Sequence, residues 1–324
     1  METITYFILI KNIYIIAFLI GTLPAVAQII NVNNSADPES VFGPEALIEN
    51  VLISSTCTTV SDFSYQVSGQ PTDINVKSYG YFKAPVGSVF PFEEGSILTT
   101  GRAHQAGNTE IISGISNDNM LGGDADLEAA LADLGVIPDT YDATFIKFTF
   151  VPIADTISFR FLMASEEYDL IEHYECLYSD GFAFLLREVG TTTYTNLALL
   201  PDNSPVSVTN INNSGVCTAN PEYFEGYDLP QTNYNGRTKV LTANANVVPN
   251  TAYEIKLVVA DQEDELFDSA IFLEAGSFNI GLDLGDDLTI GGGNSACTGD
   301  VITLDTLIPI ATGAHTWYRN GVCF

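Results

Sequence analysis

Between apolar runs at 161–164 and 182–186, the sequence reads SEEYDLIEHYECLYSD over residues 165–180. Carboxylates gathered at the end of one strand and the start of the next can bind a hard cation, act as a general acid and base, or stay solvated. If 156–162 is a strand, Glu166 and Glu167 fall at its end and point to opposite faces, one inward and one to solvent. Asp180 opens the next strand and returns to the same rim. Asp261 closes the strand at 253–260, and Asp268 opens the one near Ala270. Calcium takes six to eight oxygens at ~2.3–2.6 Å, which converging carboxylates supply, so Glu166, Glu167, Asp180, Asp261 and Asp268 are the candidate calcium ligands. The chain has no D-x-D-x-D-G loop of the EF-hand kind. The alternative is a hydrolase using Glu166 or Glu167 in a carboxylate pair, as glycosidases do.

Other chemistry has less support. There are three histidines, His104, His173 and His315, and His173 sits among acids as a charge-balancing group. Ser165 lacks the G-x-S-x-G elbow of a hydrolase nucleophile. The glycines at 122–123 and 291–293 lack the strand–loop–helix setting of a phosphate cradle. Cys176 and Cys217, in neighbouring polar loops, are the preferred disulfide. Cys297 with Cys323 is a second pairing, which leaves Cys57 over. A polar, aromatic-dotted loop over 210–235 offers Tyr223, Phe224 and Tyr227 to stack on a sugar or protein ligand.

The elements that must position these groups are strands. Period-2 alternation marks 63–67, 79–82, 144–151, 156–162, 181–186, 238–243, 253–260 and 270–275, with Val51, Leu52 and Ile53 as a further short strand. One helix is legible at 124–134, acidic in its first turn and stopped by Gly135. Long strands joined by Asn, Pro and Gly loops predict an all-β, antiparallel β-sandwich, jelly-roll-like, with one short helix. An apolar run at 13–20, followed by Ala25-Val26-Ala27, reads as a secretory signal peptide over 1–27. The sandwich domain is then 28–281. Residues 282–324 read as a linker and the opening of an Ig-like β module that the chain leaves incomplete.

With 11 Lys and Arg against 41 Asp and Glu, the formal charge is −30. So negative a surface excludes nucleic acid as a partner and disfavours anionic lipid. No membrane span is expected in the mature chain.

Several blocks occur in a telling order: EALIENVL (45–52), FPFEEGSILTTG (90–101), GDADL (123–127), ASEEY (164–168), DGFAF (180–184), NLALLP (196–201) and FDSAIFLEAGSF (267–278). Together they resemble the choice-of-anchor L domain of bacterial secreted and surface proteins, found mostly in Bacteroidota. The tail from Leu284 resembles the immunoglobulin- or PKD-like repeats that follow such domains. The resemblance implies an exported β-rich module and carries no settled activity. The expected function is therefore a non-catalytic module for adhesion or for binding an extracellular glycan or protein. A structural spacer is the remaining reading.

Overall fold

The computed structural model describes residues 28–53, 60–111, 114–136, 139–280, 318–319 and 322–323. The segment expected to be a signal peptide, Cys57, Cys297 and nearly all of the expected second module lie outside them. In that region Tyr318–Arg319 pairs antiparallel with Val322–Cys323.

Two antiparallel sheets make the domain, and with 35% of residues in strands against 13% in helix the all-β expectation holds. The strands are β1 (Asn31–Val32), β2 (Val60–Gln66), β3 (Tyr79–Lys83), β4 (Glu94–Thr99), β5 (Thr140–Phe150), β6 (Thr156–Ser165), β7 (Gly181–Glu188), β8 (Thr195–Asn196), β9 (Phe224–Tyr227), β10 (Gly236–Thr238), β11 (Leu241–Asn246), β12 (Tyr253–Gln262) and β13 (Ser269–Glu274). The first sheet runs β1-β3-β4-β13-β6-β10-β9, with β11 paired to the first half of β6; the second runs β2-β5-β12-β7-β8. The stretch at 238–243 is thus two strands, because β6 is long enough to pair β11 and β10 in succession.

Alternation sorts side chains into layers. Phe159, Phe161 and Met163 of β6 face Phe182 and Phe184 of β7 and Leu257 and Val259 of β12 in the core between the sheets. The rings of Phe159 and Phe184 meet edge to face at 4.6 Å, an arrangement worth about 0.5–1.5 kcal/mol beyond area burial. Past Arg160, which is exposed, the intervening residues are apolar too, because the outer faces there are covered. Leu162 and Ala164 pack with Phe82, Phe90 and Phe272. Ala183, Val258 and Ala260 pack under Leu127 and Leu131 of the helix Ala125–Asp133. The expected helix forms, with Asp124 as its cap rather than its first residue, accepting from the Leu127 N–H at 2.9 Å.

One expectation fails. Val51, Leu52 and Ile53 are not a strand but belong to a helical segment that begins at Pro44–Leu47 and widens into a π turn at Ile48–Leu52. Proline stands in the first turn, and Leu47, Ile48, Val51 and Leu52 recur at helical spacing, so the buried face has a period near 3.6 rather than 2.

Candidate functional site

The second half of β6 carries the chain to one rim of the sandwich, where Glu166 and Glu167 follow Ser165 directly. Register then brings the other acids to them. In the first sheet, β13 pairs with β6 through Ser269 opposite Ser165, so the next step out sets Asp268 opposite Glu166. The Glu166 N–H donates to the Asp268 carbonyl at 3.2 Å and extends that ladder. In the second sheet, β12 pairs with β7 through Ala260 opposite Gly181, and the same step sets Asp261 opposite Asp180. Each sheet therefore ends in two carboxylates facing each other, where like charges are ordinarily unfavourable. Glu167 joins the second pair: its Oε2 accepts from the Asp180 N–H at 3.0 Å, and its own N–H donates to Ser165 Oγ at 3.0 Å.

All five candidate residues are brought together, and all are between 1% and 3% exposed. This corrects the expectation that one of Glu166 and Glu167 meets solvent. The chain turns immediately after Ser165, and segments from far away in sequence, around 100–102 and 114–119, close over the rim. Asp268 shows the cover most clearly. Its Oδ1 accepts from the Asn117 N–H and its Oδ2 from the Asn117 side-chain amide, both at 2.8 Å. A Cβ at Gly101 would lie 1.6 Å from Asp268 Oδ2, so only glycine lets that carboxylate seat. Asn119 donates to the Thr100 carbonyl at 2.5 Å and, through its N–H, to Asp142 Oδ2 at 2.7 Å.

Asp142 is a sixth buried acid at this rim that sequence reading passed over. It lies where β5 bulges against β12, with φ +45°, and also accepts from the Leu121 N–H at 2.8 Å. An acid inside a strand that resumes as TFIKFTF was the available signal.

The electrostatics are lopsided. Among the described residues none of the five makes an ion pair. Both carboxylate oxygens of Glu166 and of Asp261, and Oδ2 of Asp180, have no well-formed hydrogen bond, and the buried Ser269 Oγ has none either. Burial, reinforced by neighbouring acids, pushes Glu166 and Glu167 up to about 8. The same causes push Asp261 up to about 10 and Asp180 well above the carboxylate range. Asp268, also raised by burial but eased by its grip on Asn117, reaches about 6. The Thr100 and Ser269 hydroxyls lie close enough to favour the ionised forms of Asp261 and Asp180 without offsetting burial. Among the described residues, no group of three or more acid, imidazole or thiol side chains is arranged, as it stands, to hold a metal ion.

The loops beyond this rim are braced. Cys176 and Cys217 form the expected disulfide, with Cα atoms 5.6 Å apart. Glu175, fully buried, accepts from the Asp169 N–H at 3.0 Å and from the Tyr227 hydroxyl at 3.2 Å. The three aromatics of the 210–235 loop turn towards the protein. Phe224 is buried with its ring 5.0 Å from Tyr168, and Tyr227 lies 4.6 Å from Phe224. Tyr223 is half-buried against the same cluster. What this end exposes is mainly aliphatic, Leu170, Ile171, Leu177, Val216 and Leu266, with Tyr178 beside them. The Tyr174 ring, 5.5 Å from Phe267, ties the 264–267 turn to the disulfide loops.

No curated protein and no solved structure matches the chain. A family model does, that of the choice-of-anchor L domain, over residues 31–279.

Proposed function

The chain belongs to the choice-of-anchor L domain family, which makes it a surface-associated or secreted extracellular module, and we propose that it is a non-catalytic binding module serving adhesion. Among the described residues, no helix is long and apolar enough to cross a membrane.

The observation that carries this reading is the apolar crown on the disulfide-braced end. Ile171 and Leu177 of the loop after β6, with Val216 and Leu266 of two other loops, are between 57% and 83% exposed, and the Cys176–Cys217 bond and the Tyr174–Phe267 contact tie the three loops to one another. Large apolar side chains presented together on a stiffened surface mark a partner-binding face. With 41 acids in the chain, the ligand it tolerates is neutral or basic, a glycan or an extracellular protein. The buried acids fit the hydrolase alternative less well. A glycosidase needs one of its two carboxylates ionised beside substrate, whereas Glu166 and Glu167 are both enclosed and both raised to about 8.

The test is binding of labelled domain to a glycan array and to immobilised extracellular-matrix proteins, beside the triple variant Ile171→Asp, Leu177→Asp, Leu266→Asp. The expected result is a retained ligand whose binding falls at least tenfold in the variant, without release of sugar. Sugar release abolished by Glu166→Gln or Glu167→Gln would overturn the reading in favour of catalysis.

A further inference from the structure

We infer that Glu167, Asp180 and Asp261, flanked by Asp268 and Glu166, form a calcium site enclosed at the rim of the sandwich. This goes beyond the binding role of the apolar crown and does not depend on it.

Two like-charge pairs stand at the same end, one closing each sheet. Elsewhere buried ionisable groups find counter-charge or direct hydrogen bonds: the Lys77 ammonium, fully buried, donates to the Ser40 carbonyl at 2.7 Å. Arg237 has Glu225 at 3.0 Å and Lys256 has Asp126 at 2.8 Å. At the rim Arg102 is exposed and acts on Asp268 only at electrostatic range, without an ion pair. Acids alone do not define a site, but orphaned oxygens do point to a ligand. Glu166, Asp180 and Asp261, each at least nine-tenths buried, hold five oxygens without a well-formed hydrogen bond, and the Ser269 hydroxyl is orphaned beside them. Buried polar atoms are nearly always partnered, so a set this large calls for a missing positive charge.

The donor set selects the ion. Every candidate ligand is an oxygen; His173 pairs with Glu175, and the nearby thiols are consumed in the disulfide. This excludes a preference for zinc or copper. Calcium accepts irregular shells of mixed carboxylate and hydroxyl oxygens, whereas magnesium demands a near-ideal octahedron and holds on to its waters. Calcium also tolerates a cage that closes only on binding, by rotation of carboxylates whose oxygens are not otherwise engaged. Occupation converts protonated acids to carboxylates, so binding releases protons to solvent and strengthens as pH rises.

The experiment uses the full chain, stripped with EDTA and titrated with CaCl2 by calorimetry in two buffers of different ionisation heat, with thermal melts in parallel. At about 1 mM, the range for extracellular modules, calcium is expected to bind, to release protons and to raise the melting temperature, with magnesium at least tenfold weaker. The double variant Asp180→Asn, Asp261→Asn, which removes charge while keeping shape, is expected to fold and to lose binding by at least tenfold. Asp202→Asn, on an exposed turn, should bind as the parent does. Equal melting in EDTA and calcium, or binding undiminished in the double variant, would overturn the assignment. Either failure leaves the role of the apolar crown standing.

Discussion

Two places along β12 bury charge in opposite ways. At Lys256 the side chain lies 5% exposed beneath the start of the helix Ala125–Asp133, bonded to Asp124 and, at 2.8 Å, to Asp126, with the Phe145 ring 4.2 Å from its ammonium. Five residues on, Asp261 is buried as deeply, opposite another aspartate and with both oxygens unpartnered. The first is a charge the chain completes by itself. The second is a carboxyl it leaves open. Single unpartnered polar atoms occur elsewhere, but the rim is where unpartnered carboxylate oxygens gather.

The largest effect that could break this contrast is at the closed site. Lys256→Met should destabilise the domain by about 3–5 kcal/mol, because it leaves Asp124 buried without its partner. Asp261→Asn, measured by urea unfolding in chelator at neutral pH, should be neutral or stabilising, since it removes the cost of keeping a carboxyl protonated that ionises freely in the unfolded chain. Equal losses from the two would dissolve the distinction.

A more graded test is pH. In chelator, the acids of the rim have folded pKa values above those of the unfolded chain, near 4. The folded state thus holds more protons, and stability falls as pH rises. The decline sets in above about 4, is steepest while all the rim acids are protonated only in the folded state, and eases as Asp268 ionises near 6, Glu166 and Glu167 near 8 and Asp261 near 10. Saturating calcium should flatten that slope; melting temperatures from pH 5 to pH 9 in EDTA and in calcium measure it.

The smallest effect belongs to an ordinary surface pair. Arg160 grips both oxygens of Glu274, at 2.8 and 2.7 Å, yet its side chain is 48% exposed, so Arg160→Ala should cost only about 0.2–1 kcal/mol. A larger loss in the same urea assay would mean that charge at any exposure governs this fold.

Much of this was legible beforehand. The strands announced themselves by alternation, the helix by Asp124 and its acidic first turn, and the disulfide by Cys176 and Cys217 flanking adjacent loops. The five acids were found because each sits at a strand terminus, and termini of neighbouring strands share an edge. What escaped was the cover. That Glu166 and Glu167 are both enclosed depends on Gly101, Asn117 and Asn119 arriving from distant segments, and no local pattern encodes where a loop will land. Phe224 and Tyr227 were misjudged for a related reason: a polar loop hides its aromatics once Tyr168 gives them something to pack on. Val51 to Ile53 were misjudged because three apolar residues fit either period, and only Leu47 and Ile48 decide between them.

The position of β13 has a mechanical consequence. The strand lies between β4 and β6, hydrogen-bonded on both sides along Ser269–Glu274. Tension entering through the residues that follow it pulls along the strand axis. It must shear two ladders at once instead of unzipping an edge bond by bond. A domain tethered from that side resists being drawn out of shape by the middle of its sheet, with the acid rim at the far end of the same strand.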